Sequence, residues 1–157
     1  MKTLLLTIIS ILTGSQLDAQ HLVKSDKYKI SFLSTEPLKK YDTESDSVLG
    51  YENKNYAVDI DIVPIASESK KFIQNLKYGA KELATQMDFK NIMDGGKIAT
   101  IEESYYVLGY YTDKQIPVYV IVILNYSKNI IYEITVYCYN LNKTEGEKIT
   151  QSFSLLK

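Results

Sequence analysis

Seven consecutive apolar residues, Val118–Leu124 (VYVIVIL), leave this chain few ways to fold. A strand with one face in water alternates apolar and polar side chains, whereas a strand that is apolar at every position needs cover on both faces. We therefore predict a central strand here, in a sheet with further layers of the protein on either side.

The segments around this run predict an antiparallel sheet. Strands are predicted at 28–33, 56–65, 97–102, 104–112, 117–126 and 129–140, with a hairpin leading into the second of them. Asp94-Gly95-Gly96 is predicted to be the turn before the last four strands, which short connections join into a meander.

Two segments have helical periodicity. A long helix is predicted over 68–87 with Ser67 as its cap, because its apolar residues recur three or four positions apart. A short helix is predicted after Asn142, where Thr144 and Glu147 have the spacing of a capping box. The predicted fold class is α+β: an antiparallel sheet of about six to seven strands with the two helices packed on it.

The amino terminus has the pattern of a cleavable export signal. Lys2 precedes the uncharged run Leu4–Leu12, and small residues lead to a predicted cleavage site after Ala19. A run of this length is too short to span a bilayer as a helix. We expect residues 1–19 to be a signal peptide and residues 20–157 to be a single domain, exported to the periplasm or the medium without a membrane anchor.

Charge and residue usage exclude several classes of function. The net charge is −1 and the positive residues are all lysine, so no arginine is available for bidentate contacts to phosphate or guanine. His21 is the only histidine and sits near the predicted mature terminus, while Cys138, the only cysteine, lies in an apolar alternation typical of a buried thiol. We expect no catalytic triad, no metal site, no cofactor and no nucleic-acid partner, and we expect a monomer.

Acidic residues leave one catalytic alternative open. Asp59 and Asp61 share a strand face, and Glu102 and Glu103 are adjacent, so a small hydrolase working through two of these carboxylates is the alternative function. The segment from Asp42 to Asp46 alternates acids as a calcium loop does, but it lacks the glycine and the glutamate that such a loop requires, and a solvated acidic loop is the favoured interpretation.

Tyrosine is the unusual component, with 14 in the chain. Strand geometry turns Tyr105 and Tyr111 to one face and Tyr106 and Tyr110 to the other, and it places Tyr137 and Tyr139 together opposite Cys138. Packing within the sheet explains many tyrosines, but flat aromatic surface also serves protein recognition. The candidate binding residues are therefore Tyr105, Tyr106, Tyr110, Tyr111, Tyr137 and Tyr139, with Gly109 leaving a shallow gap beside them.

The order of elements resembles the fold of the photosystem protein PsbP and the Ran-binding Mog proteins. The resemblance covers residues 24–157 and rests on KYKISFLSTEP at 27–37, the long helix, the aromatic-rich meander and the closing KITQSFSLL at 148–156. It implies an accessory or binding role, and no ligand or contact residue of either family can be placed on this chain.

The sequence thus predicts an exported, non-catalytic binding or accessory protein that uses a tyrosine-rich sheet surface, with an unidentified protein or small molecule as its partner. A structural protein that associates through an open sheet edge is a further alternative.

Overall fold

The computed structural model describes residues 20–66, 75–111 and 115–157. The predicted signal peptide, the first turns of the predicted long helix and most of the predicted 112–116 loop lie outside these residues. The strands are β1 His21–Ser25, β2 Ile30–Ser34, β3 Lys39–Tyr41, β4 Val48–Glu52, β5 Tyr56–Pro64, β6 Lys90–Ile98, β7 Ile101–Tyr111, β8 Ile116–Asn125, β9 Ile130–Cys138 and β10 Ser154–Leu155. The helices are α1 Leu76–Gln86 and α2 Lys143–Gln151.

A seven-stranded antiparallel sheet organises the fold, in the order β3-β4-β5-β9-β8-β7-β6. Val118–Leu124 lies in β8, which hydrogen-bonds to β7 on one side and to β9 on the other. Every residue of β8 is buried. The prediction of a central strand covered on both faces is confirmed, because both sides of this strand pack against other layers.

One face of the large sheet is covered by α2 and by a three-stranded sheet in the order β1-β2-β10. Phe32 of β2 and Phe153 lie in the core between these layers, with ring centroids 4.9 Å apart. The Tyr132 hydroxyl donates to the Tyr28 carbonyl at 2.5 Å, which ties β9 to the turn between β1 and β2. These contacts close the core on this side.

The opposite face of the large sheet is covered by α1, which packs on β6, β7 and β8. Its small residues Ala80 and Ala84 are fully buried, so the helix backbone comes close to the sheet. Within the described ranges, no helix lies across β3, β4 and β5 on this side. Among the described residues, α1 therefore covers one half of the helix-side face, and we call the half over β3, β4, β5 and β9 the open half.

The structure describes the α1 helix from Leu76, and the predicted cap Ser67 lies outside the described residues. Asn75 has φ −151° and ψ 89°, and its side chain accepts from the Tyr78 N–H at 3.1 Å, so Asn75 caps α1. The cap of α2 is Asn142, two residues before the predicted Thr144. The Asn142 side chain accepts from the Glu145 N–H at 3.2 Å. Asparagine caps a helix as well as serine does, because either side chain offers an oxygen to a free backbone N–H at the start of the helix.

The predicted turn at Asp94-Gly95-Gly96 is wrong. All three residues lie inside β6, which pairs with β7 through several register shifts, and the chain reverses between Ile98 and Ile101 instead. A Cβ on Gly95 would lie 2.1 Å from the Tyr106 ring, so this glycine accommodates an aromatic ring rather than a turn. β1 was not predicted, and it places the exposed His21 in a strand opposite Ser34.

No helix in the described part of the chain is long and apolar enough to cross a membrane.

Candidate functional site

Three of the six candidate tyrosines meet on the helix-side face beside the end of α1, where they form a row of aromatic rings with Phe89 that runs from β7 to β9. Ring centroids of Phe89 lie 6.1 Å from those of both Tyr111 and Tyr137, and Tyr111 meets Tyr137 edge-on at 6.2 Å. Tyr139 stacks on Tyr137 at 6.0 Å with the ring planes 15° apart. Tyr111 and Tyr139 are 45% and 44% exposed, so the outer rings of the row face solvent.

Phe89 anchors this row. Its side chain is buried, and a Cβ added to Gly109 would lie 3.1 Å from the Phe89 Cβ. The shallow gap expected beside Gly109 is therefore occupied by Phe89. Edge-to-face contacts around a buried ring hold the exposed tyrosines in place, which lowers the conformational entropy that a partner would have to overcome.

The other three candidate tyrosines are separated from this row. Tyr105 is half-buried beside α1, and Tyr106 is only 5% exposed on the α2 side, where its hydroxyl donates to Glu147 Oε1 at 3.1 Å. Tyr110 also lies on the α2 side, where its hydroxyl accepts from Lys143 Nζ at 3.2 Å. The predicted division of the β7 tyrosines between two faces is confirmed, and it splits the predicted set.

Three carboxylates lie beside the aromatic row on the open half. Asp61 of β5 is directly opposite Glu133 of β9, and Asp59 is opposite Thr135 and diagonal to Tyr137. Burial raises the pKa of all three carboxyl groups. The charge of Asp61 raises the pKa of Glu133 further, because two like charges on neighbouring strands repel.

Tyr41 covers Asp59 from the edge strand β3. A Cβ on Gly50 would lie 2.1 Å from the Tyr41 ring, so the ring crosses β4 over this glycine. Its hydroxyl donates to Asp59 Oδ1, and this bond favours the ionised carboxylate against the effect of burial. Burial and the Asp59 charge together raise the pKa of Tyr41, so Tyr41 stays protonated as a donor.

No described lysine forms a salt bridge with Asp59, Asp61 or Glu133; the salt bridges found join other pairs of residues. We call Tyr111, Tyr137 and Tyr139 together with Asp59, Asp61 and Glu133 the acidic–aromatic face. Partly desolvated carboxylates without a cation are electrostatically costly, and an incoming cation would offset that cost. Burial also raises the pKa of Tyr137 to about 12, which keeps this ring neutral.

Glu133 is the site residue that sequence reasoning missed. The alternation from Ile130 to Cys138 was used for its buried members, although the residues between them, Glu133, Thr135 and Tyr137, share the opposite face. Comparing this second face of β9 with the face of β5 that carries Asp59 and Asp61 would have shown that both strands have an acidic face. Their pairing could not be obtained from either strand alone.

The structure does not bring the predicted hydrolase residues into one group. Glu102 and Glu103 line a shallow cleft with Thr100 and Leu124, near the turn between β6 and β7. Asp59 and Asp61 lie on the open half, and Asp61 is exposed. Paired catalytic carboxylates normally face a substrate held between them, and Asp59 and Asp61 instead project side by side from one strand.

The remaining titratable candidates are placed apart from the acidic–aromatic face. Cys138 is a buried free thiol on the α2 side, and burial raises its pKa to about 12. Over residues 20–66, 75–111 and 115–157, no group of three or more histidine, cysteine, aspartate or glutamate side chains is placed to hold a metal ion.

The acidic segment from Asp42 to Asp46 lies in the loop before β4. The Tyr28 hydroxyl donates to the Asp46 carbonyl, which holds this loop against the β1–β2 turn.

Comparison with solved structures identifies the fold. The Ran-binding protein Mog1p of Saccharomyces cerevisiae superimposes with a TM-score of 0.57 at 8% identity, covering 88% of this chain and 96% of that one. The cyanobacterial PsbP of Synechocystis gives a TM-score of 0.56 at 12% identity, covering 90% and 95%. The chain has the PsbP/Mog-like fold.

A Mog1 mutant shows the same PsbP/Mog-like fold, with a TM-score of 0.56 at 9% identity over 88% of this chain and 97% of that one. No protein-family model and no curated protein matches the sequence significantly. Identities this low show the PsbP/Mog-like fold alone, and this fold is compatible with a binding or accessory protein.

Proposed function

We propose that this chain is an exported, non-catalytic binding protein that works by contact, and that the acidic–aromatic face is its docking surface for a basic segment of a partner protein. The single observation that carries the proposal is the open half of the sheet, where anchored tyrosines lie beside carboxylates that no described lysine neutralises.

The aromatic part of the face supports a protein partner. Tyrosine is enriched at protein interfaces because it offers a large contact area at a small cost in conformational entropy. Tyr137 and Tyr139 are stacked, and Tyr111 meets Tyr137 edge-on, so the rings are held in place before a partner arrives. Mog1p, which shares this fold, is itself a Ran-binding protein, and a protein partner is consistent with that relationship.

The charges of the face specify a basic partner. Asp59, Asp61 and Glu133 have raised pKa values because they are partly desolvated, and a lysine or arginine of the partner would stabilise their ionised forms. The neighbouring tyrosine rings would bind the same cation through their faces. Binding is therefore expected to weaken as salt is added.

Export is part of the proposal and rests on the sequence of residues 1–19. It predicts that the partner is met outside the cytosol. Amino-terminal sequencing of the chain recovered from outside the cytosol tests this step, and the expected first residue is Gln20.

Site-directed photocrosslinking tests the docking surface. A photoreactive phenylalanine analogue is introduced at Tyr139 in one variant and, as a matched control, at Tyr126 in another; Tyr126 is a 57% exposed tyrosine in the turn between β8 and β9. We expect the Tyr139 variant to form a discrete adduct, identified by mass spectrometry at a lysine- or arginine-containing segment, and the Tyr126 variant to form none.

The charge dependence of that adduct decides between a basic partner and a general apolar contact. Combining Asp59→Asn with Glu133→Gln keeps the shape of the face and removes two charges, so the adduct yield should fall about tenfold. Equal yields from the Tyr139 and Tyr126 variants, or an adduct at an acidic segment, would contradict the proposal.

A further inference from the structure

A cleft on the α2 side of the sheet is separate from the acidic–aromatic face. It measures ≈ 600 Å³ and lies between the start of α2, the edge strand β6 and the start of β8. Tyr110 lines it, and Tyr110 projects from β7 on the face opposite to that of its neighbour Tyr111. Its volume falls in the range of clefts that bind small molecules.

The polar groups of the cleft are donors and amides. Lys143 supplies an ammonium group, Tyr110 a phenol, and Asn91 and Gln115 carboxamides. No carboxylate is among the described residues that line it. This is the reverse of the open half, where no described lysine pairs with the carboxylates.

Lys143 and Tyr110 lie close enough to donate hydrogen bonds to the same ligand in the cleft. The Tyr110 oxygen accepts from Lys143 Nζ at 3.2 Å, and the ammonium lies 5.7 Å from the centre of the Tyr110 ring. Because the phenol oxygen is the acceptor in this contact, its own O–H hydrogen stays available to a ligand. Lys143 takes part in no salt bridge within the described segments, so both groups can bind an anionic oxygen.

The other wall of the cleft is apolar. Met93 and Leu141 are 45% and 57% exposed, and Pro117 lies with them in the lining. Leu141 has φ 63°, a left-handed conformation that is uncommon for a bulky residue. Gln115 and Asn91 also have positive φ, at 49° and 51°. Left-handed residues of this kind cluster at ligand sites, where the surrounding structure maintains them.

We propose that this cleft binds an organic anion that joins a carboxylate to a short apolar chain. The anion lies between Lys143 Nζ and the Tyr110 hydroxyl, and the chain packs on Met93, Leu141 and Pro117. The ligand class follows from the described lining residues: an ammonium and a phenol donor at one end, apolar side chains at the other, and no carboxylate among them to repel the anion. The site is independent of the partner proposed for the open half.

Nuclear magnetic resonance titration of the purified chain with sodium hexanoate tests the site. We expect saturable shifts at the amide signals of Asn91, Gln115 and Lys143. Hexan-1-ol, which keeps the chain and lacks the charge, should bind about tenfold more weakly, and hexylammonium, which reverses the charge, should leave these signals unchanged. Acetate, which lacks the chain, should bind at least about tenfold more weakly, since each buried methylene contributes ≈ 0.8 kcal/mol.

Two variants and a matched control complete the test. Lys143→Gln should weaken hexanoate binding about tenfold, and Tyr110→Phe by a smaller factor, because a hydrogen bond from a charged donor is the stronger one. Lys128→Gln removes the same charge from the exposed turn between β8 and β9 and should leave binding unchanged. Hexylammonium binding as tightly as hexanoate, or an unchanged affinity in Lys143→Gln with the fold intact, would overturn the proposal.

Discussion

Asp61 and Glu133 lie directly opposite each other on the antiparallel strands β5 and β9, two acidic side chains on the same face of the sheet. No lysine in the described parts of the chain pairs with either of them. Like charges at opposite positions of neighbouring strands destabilise a sheet. Their pairing therefore costs folding free energy, and the proposed function explains that cost as the source of affinity for a basic partner.

Glu133→Gln should stabilise the fold at pH 7 by roughly 0.2–1 kcal/mol, because it removes one of two opposed charges. The folded-state pKa of Glu133 is raised, so its cost is absent below the unfolded pKa, grows between the unfolded and folded pKa values, and is complete above the folded one. Thermal unfolding should show a higher Tm for the variant than for the unmodified chain at pH 7, and equal Tm values for the two at pH 3. Glu102→Gln, an exposed change on β7, is the matched control, and a lower Tm for Glu133→Gln at pH 7 would contradict the argument.

Tyr41→Phe should destabilise the chain by about 1 kcal/mol, because Asp59 loses the hydroxyl that donates to it while staying partly buried. Urea unfolding in a double-mutant cycle with Asp59→Ala measures the pair. In the Asp59→Ala background the same tyrosine change should cost close to nothing. An equal cost in both backgrounds would show that the Tyr41 hydroxyl stabilises the fold through a group other than Asp59.

Gly146→Ala should destabilise the fold by about 1–3 kcal/mol although alanine favours a helix, because overpacking outweighs propensity here. The new Cβ would lie 2.3 Å from Cys138 Sγ and 2.7 Å from Tyr119 Cε2. Chemical denaturation should show a smaller penalty for Gly146→Ala when Cys138 is replaced by alanine. A stabilised Gly146→Ala variant would mean that α2 packs less closely on the sheet than this geometry requires.

Cys138 should resist thiol reagents in the folded chain. Its side chain is buried, and burial raises its pKa to about 12, so the reactive thiolate is scarce at neutral pH. Reaction with an aromatic disulfide reagent should be slow in buffer and rapid in 6 M guanidinium chloride (roughly the strength that unfolds most domains). Fast modification of the native chain would show that the α2 side opens readily.

The residues of single segments were enough to predict several features of the fold. The unbroken apolar run of β8 predicted its central position, and the alternation in β9 predicted the burial of Cys138. The opposite orientations of Tyr110 and Tyr111 also follow from the two-residue period of a strand. Each of these features depends on neighbouring residues in the chain, so the pattern is complete within one segment.

Turns and strand ends were less predictable because a glycine has more than one use. Gly95 was interpreted as part of a turn, yet it lies in β6 beneath the Tyr106 ring, and that ring comes from a different strand. Gly109 was interpreted as a gap, yet Phe89 fills the space. In both cases an aromatic side chain from another segment decides what the glycine accommodates.

By itself the sequence determined the burial of β8 on both faces, the apolar alternation of β9, the α+β class and the PsbP/Mog-like fold. Only the tertiary structure decided that Asp61 meets Glu133, that Tyr111 meets Tyr137, and that Lys143 meets Tyr110. The physical reason is that side-chain periodicity is local, whereas the order and register of strands depend on packing among segments far apart in the chain. A site formed between strands therefore becomes visible only when the sheet is assembled.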